Sequence, residues 1–113
     1  LFFSQFHYKI FKNNINFKTI IKQYLFEDKY CVDFACPERK IVIEVLGDWW
    51  HGWLCLSGKE SYEKLYPKVK KNLYLDNKRF KDIIKKQWTL IKIWEHDIKN
   101  ENFVNILKQY FKN

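Results

Sequence analysis

The chain has 113 residues, of which 47% are hydrophobic and 19% aromatic, enough for one small domain with a core of its own. Its formal charge is +8, and no apolar run reaches the roughly 18 residues that a membrane-spanning helix requires. The three cysteines, Cys31, Cys36 and Cys55, are odd in number and form no CxxC pair, which argues against a disulfide framework and a four-ligand zinc site.

Residues 2 to 12 place Phe3, Phe6, Tyr8, Ile10 and Phe11 at mostly helical spacing, and Asn13-Asn14 ends the run. Residues 17 to 25, "FKTIIKQYL", are β-branched and aromatic and suit a strand. "EDK" at 27 to 29 reads as a turn, "YCVDFA" at 30 to 35 as a second strand, and "CPERK" as a tight turn fixed by Pro37. "IVIEVL" at 41 to 46 is a third strand, and its near-continuous apolar character predicts a central position covered on both faces. Cys31 and Cys36 are expected to pack as small apolar groups.

From 47 to 71 the periodicity dissolves into a long loop bearing Gly, Trp and Lys, and a loop of that length in a compact domain is usually functional. Residues 72 to 87 predict a helix with Leu73, Asp76, Phe80, Ile83, Ile84 and Gln87 on one face. "WTLIKIW" at 88 to 94 is a fourth strand, and residues 100 to 112 predict an amphipathic helix carrying Phe103, Ile106, Leu107 and Tyr110. The order helix, three strands, helix, strand, helix predicts a single α/β domain, with an antiparallel meander over 17 to 46 inside a mixed four-stranded sheet flanked by helices.

The stretch "VDFACPERKIVIEVLGDWWHGW" concentrates ionisable groups where a core has no need of them: Asp33, Glu44, Asp48 and His51. An acid on an inner strand is costly unless it is paired, hydrogen-bonded or metal-bound, so Asp33 either points to solvent or has a task. The turn at 37 to 40 lets Asp33 and Glu44 lie near one another. Together they would make a hard-oxygen site for Mg²⁺; otherwise Glu44 takes a salt bridge from a lysine. His51 suits a general base, a general acid or a donor to phosphate, and equally an idle loop position. Asp76 lies on the apolar face of its helix, where it caps, forms a salt bridge or completes a site. Asp82, amid lysines, reads as a solvated charge. Adjacent Trp49 and Trp50 cannot both face one core, so at least one ring is expected to be exposed and free to stack on bases.

Basic residues follow directly. Residues 59 to 86 carry ten Lys or Arg against four acids, among them Lys68, Lys70, Lys71, Lys78 and Arg79. Such a surface attracts polyanions. The abundance of Lys, Asn, Ile, Phe and Tyr is also what an AT-rich genome writes. A protein-interaction domain with a merely lysine-biased surface therefore competes, and it would bind DNA little at moderate salt.

These residues resemble a known family. "VDFACPERKIVIEVLGDWWHGW" followed by "KKNLYLDNKRFKDIIKKQWTLIKIWEHDI" is similar to the very short patch repair endonuclease superfamily, a compact branch of the PD-(D/E)xK (restriction endonuclease-like) nucleases. The likeness runs over residues 30 to 98. It rests on Asp33-Phe34, on Val45 to His51 ending in "GDWWH", on Asn72 to Asp76, and on Gln87-Trp88 to Trp94-Glu95. Within it the chain looks most like the catalytic domains of phage homing endonucleases with an "EDxHD" site. The resemblance implies a DNA endonuclease that uses Mg²⁺ or Mn²⁺. Asp33 would be a metal ligand, joined by a backbone carbonyl at Val45 or Leu46, with Glu44 as a weaker addition. His51 would assist the attacking water or bind the phosphate, Asp76 would orient His51 or an outer water, and Trp49-Trp50 would insert into the duplex.

Three departures accompany the likeness, the first being Leu46, which stands where many relatives carry an acid or histidine. The motif's leading Glu belongs in the first helix, yet no Glu precedes Glu27, and Gln5 falls near its position. A catalytically weakened or inactive DNA-binding module on the same fold is therefore the alternative. Only Cys55 resembles a ligand of the repair enzyme's zinc, so no structural zinc is expected. The expected partner is double-stranded DNA, read with a second copy of the chain or with a DNA-binding domain elsewhere, since 113 residues leave little room for a separate specificity module. No signal peptide is visible, and an intracellular home is expected, in a phage- or mobile-element-encoded protein.

Overall fold

A computed structural model describes residues 20–111. The helix expected over 2 to 12, with Gln5, lies outside the described residues, as does the start of the first expected strand. The described residues form a small α/β domain. Four strands, β1 (Ile21–Phe26), β2 (Tyr30–Cys36), β3 (Ile41–Leu46) and β4 (Thr89–Trp94), make one mixed sheet in the order β1-β2-β3-β4. β1, β2 and β3 run as the predicted antiparallel meander, and β3 and β4 are parallel. Helix α1 (Trp53–Leu56) and the long helix α2 (Pro67–Lys85) lie between β3 and β4, as a parallel pair requires of its connection. Helices α3 (Glu95–Lys99) and α4 (Phe103–Lys108) follow β4.

The sheet is covered on both faces. Phe34, Ile41, Ile43, Ile91 and Ile93 pack against Ile98, Phe103, Val104 and Leu107 of α3 and α4. The alternate residues point the other way, where Ala35 and Val42 meet Ile83 of α2, and Leu46 and Trp94 meet Phe80. This explains the unbroken apolar run of β3, which sits between two neighbours and two layers. Among the described residues no helix is long and apolar enough to cross a membrane.

The turns read from sequence stand at 27–29 and at the 3-10 turn Pro37–Arg39, which ends on Lys40 in the left-handed conformation. The helical boundaries differ from expectation. α2 begins at Pro67, five residues before the predicted start, because proline is well placed in a first helical turn and holds Tyr66 extended. It ends at Lys85, and Gln87 turns left-handed (φ 67°) beyond it. Its buried residues are Val69, Asp76, Phe80 and Ile83, whereas Ile84 is 58% exposed and Gln87 leaves the face altogether. The 47–71 segment holds α1 and a 3-10 turn at Tyr62–Lys64 instead of being one loop. The single helix predicted over 100 to 112 is α4 alone, preceded by α3, with left-handed Glu101 (φ 61°) dividing the two; Tyr110 is 39% exposed. Cys36 is buried as expected, but Cys31 is exposed, with its Sγ 3.2 Å from Gln23 Oε1, so its expected packing role does not hold.

Candidate active site

Regular pairing stops on both sides of Asp33. Toward β1 the ladder omits Gln23, whose backbone is left-handed (φ 52°), and toward β3 it ends at Phe34 opposite Ile43. One step further the two strands exchange side-chain bonds in place of a backbone ladder. The Asp33 N–H donates to Glu44 Oε1 at 2.9 Å, and the Val45 N–H donates to Asp33 Oδ2 at 2.8 Å. The two acids thus stitch β2 to β3 at the point where the strands part, which is why neither needs to face open water.

Glu44 is 3% exposed and carries Arg79. Its Oε2 lies 2.6 Å from the Arg79 guanidinium, which also donates to Asp76 Oδ1 at 3.1 Å, one turn back on α2. The other Asp76 oxygen, Oδ2, meets His51 Nδ1 at 2.6 Å. A carboxylate only accepts, so Nδ1 carries the proton, and in the neutral ring Nε2 is left with a lone pair for a ligand. Asp33, Glu44, Arg79, Asp76 and His51 therefore form one continuous network between the sheet and α2. The sequence-predicted residues Asp33, His51 and Asp76 are brought together in it.

The loop that presents His51 is wound tightly by local geometry. The His51 N–H bonds to the Gly47 carbonyl at 3.1 Å and the Trp53 N–H to the Asp48 carbonyl at 2.9 Å, while Asn72 of α2 holds the Trp50 carbonyl at 2.9 Å. Gly52 adopts φ +74°, and a Cβ there would stand 2.8 Å from the Leu73 side chain, so glycine suits both the turn and the close approach of α2. Trp49 and Trp50 are each about half exposed, as the adjacency argument required of at least one. Trp49 packs on Tyr66 with ring centres 5.6 Å apart, and Lys68 Nζ lies 5.1 Å from the Trp50 ring centre. Lys71 and Lys78 are exposed on α2, while Lys70 is half-buried with its Nζ 5.2 Å from the Tyr62 ring centre.

The other assignments land differently. Arg79, grouped above with the DNA-binding lysines, is drawn inward by two carboxylates. Glu44, considered as a second metal ligand, has both oxygens occupied, one by the Asp33 N–H and one by Arg79; its salt bridge comes from an arginine, not a lysine. Asp48 turns away toward His96 Nδ1 at 2.9 Å, and its N–H donates to Glu95 Oε1. Asp82 pairs with Lys29 at 3.4 Å on the surface. Among the described residues no three His, Cys, Asp or Glu side chains are grouped to hold a metal ion. A cation would thus rest on Asp33 together with main-chain oxygen at Val45 or Leu46. Mg²⁺ commonly takes only one or two carboxylates and keeps several waters, so that donor set fits its chemistry without filling its shell.

Burial sets the charge balance. Desolvation raises the Asp33 carboxyl above its ordinary value, against the pull of the Val45 N–H and of Arg79. It pushes Glu44 up to about 7, with Arg79 opposing and the Asp33 and Asp76 charges reinforcing. Glu44 holds its proton more tightly folded than unfolded, so its stabilising contribution is full below about 4.5 and is lost as the pH rises through about 7. Denaturant unfolding of the metal-free protein should therefore lose roughly 3 kcal/mol between pH 5 and 8 from this group. Glu44→Gln should flatten that part of the curve, and an unaltered slope would place the titration elsewhere.

No protein-family model, curated protein or solved structure matches the chain. The functional reading stands on the residues and their geometry.

Two features escaped the sequence reading. The bridging role of Arg79 was signalled by its i, i+3 spacing from Asp76, a helical pair in which a planar guanidinium can reach two acids. His96, which ties the start of α3 to Asp48, was visible only as part of "EHD" after the fourth strand.

Proposed function

We propose that the chain is a metal-dependent DNA endonuclease with a PD-(D/E)xK core of the very short patch repair and homing type, hydrolysing phosphodiester bonds. The observation that carries this reading is the 2.6 Å pairing of His51 Nδ1 with Asp76 beside Asp33, in one network at the end of β3. Ligands of open α/β sheets bind in the crevice beyond the carboxyl ends of strands, which is where His51 emerges.

Each residue then has a task. Asp76 fixes the tautomer and orientation of His51, whose Nε2 accepts a proton from the attacking water. Glu44 and Arg79 hold Asp33 and Asp76 in place. Asp33, with the main-chain oxygen of Val45 or Leu46, would hold Mg²⁺, which supplies Lewis-acid stabilisation of the charge developing on the phosphate. Lys68, Lys70, Lys71 and Lys78 neutralise backbone phosphates, and the exposed Trp49 and Trp50 rings stack on or wedge between bases.

The missing leading Glu favours a second reading, a DNA-binding module that does not cut. Incubation with supercoiled plasmid over a Mg²⁺ titration, alongside a gel shift in EDTA, separates the two. Mg²⁺-dependent nicking supports the enzyme; a shift without nicking supports the binder; neither signal removes both. Trp49→Ala with Trp50→Ala should weaken binding to duplex by about 1–3 kcal/mol per stacked ring while leaving the fold intact, measured by anisotropy. Unchanged affinity would remove the rings from the interface.

A further inference from the structure

We propose that the hollow beside the His51–Asp76 pair is a phosphate subsite, and that Lys92 is the residue that fixes a backbone phosphate of the bound strand there. The proposal rests on the nucleic-acid reading above and adds a residue from β4 that the reading does not use.

A cavity of about 90 Å³ opens next to the pair, with His51, Asp76, Asn77, Phe80, Lys92 and Trp94 in its lining. β4 runs parallel to β3 with Lys92 opposite Glu44, so Lys92 stands on the α2 face of the sheet, the face that carries the ionic network. The carboxylates of that network are satisfied without it. Glu44 is held by Arg79 and the Asp33 N–H, and Asp76 by Arg79 and His51. Among the described residues Lys92 has no carboxylate within ion-pair distance. Its ammonium instead lies 4.8 Å from the ring centre of Phe80, a ring that also carries the Arg79 guanidinium at 5.3 Å.

Lys92 is exposed as a residue even though its neighbours Ile91 and Ile93 are in the core. A lysine ammonium resting over an aromatic face at an exposed position, with no carboxylate beside it, is a held but unneutralised charge. Arg79, the other cation on the Phe80 ring, is already engaged with Glu44 and Asp76. A phosphodiester offers oxygens that only accept, and Lys92 offers three donors and one full charge in the lining of a cavity that the imidazole of His51 also lines. A phosphate seated there lies between the lysine and the histidine. A strand so anchored presents its phosphate to His51 in a fixed register.

The test compares the wild type with Lys92→Met, Lys92→Arg and, as a control on the opposite layer, Lys108→Met. Methionine keeps an apolar stem on Phe80 and removes only the charge. Affinity for a fluorescein-labelled duplex is measured in EDTA across a sodium chloride series. For Lys92→Met the slope of log affinity against log salt should fall by about 0.9, the value of one lost phosphate contact on B-DNA. Lys92→Arg should keep the wild-type slope, and Lys108→Met should not change it. A wild-type slope for Lys92→Met overturns the subsite. A wild type that binds duplex without ever nicking it removes the nuclease reading, while the slope still decides Lys92. A wild type that does not bind duplex at all overturns both.

Discussion

Asp33→Asn should abolish Mg²⁺-dependent nicking and leave the protein as stable as the wild type or more so. The two effects part company because of where Asp33 sits. Desolvation raises its carboxyl above the usual range, so the folded protein bears a cost whenever that side chain is ionised. Asparagine keeps an oxygen to accept the Val45 N–H and removes the charge. Stability then holds or rises, whereas a hard-oxygen ligand is lost. His51→Ala should also abolish cutting, by the factor of about 10²–10⁴ that a positioned general base contributes. Its stability cost should stay small, since the ring is partly exposed. Asp76→Asn should also lower cutting, because the amide keeps one acceptor oxygen for two donors, the His51 Nδ1–H and the Arg79 guanidinium, and turns an NH2 group toward one of them. Plasmid nicking and thermal unfolding of the three variants, with gel shifts to show that DNA is still bound, carry the measurement. Full cutting by both Asp33→Asn and His51→Ala would refute the site.

The sheet was legible because its cues are local. β2, the Pro37 turn and β3 follow from β-branched runs and one proline, and the parallel fourth strand follows from the helical stretch before it. The site was legible in part for the same reason. Asp33, Glu44 and Asp76 are acids at positions where the surrounding pattern demands burial, and two of them are among the most buried polar groups described, Glu44 at 3% and Asp76 at 7% exposure. What sequence hid were features set by tertiary partners. The first turn of α2, "PKVKK", offers only Val69 to the core, so its periodicity could not be told from a loop. Glu101 separates α3 from α4 in a left-handed conformation without a glycine to announce it. Arg79 sits in a run of lysines that reads as a solvated face, and only the arrival of β3 beneath α2 turns its guanidinium toward Glu44. Lys92 shows the converse: the register opposite Glu44 places it on the inner face, but nothing in the strand said that it would meet no carboxylate among the described residues.

Arg79→Met should be the most destabilising single change in the network, by about 3–5 kcal/mol, the usual cost of breaking a buried ion pair from one side. Arg79 is the shared counter-charge of two buried acids, at 2.6 Å from Glu44 and 3.1 Å from Asp76. Methionine fills much of the same volume on Phe80, so the loss is electrostatic, with little of it arising from a cavity. Against a typical domain stability of about 5–15 kcal/mol, such a loss leaves the protein close to its unfolding threshold. The pH dependence gives the prediction its signature. Without Arg79 the Glu44 carboxyl, already raised to about 7, rises further, so the variant should approach the wild type near pH 5 and diverge from it near pH 8. Glu44→Gln in the Arg79→Met background should recover much of the loss, because it removes one of the two stranded charges and keeps an acceptor for the Asp33 N–H. Urea unfolding of the two single variants and the double variant at both pH values completes a double-mutant cycle. Additive losses, or a deficit indifferent to pH, would mean that the guanidinium bridge does not hold the acids of the site together.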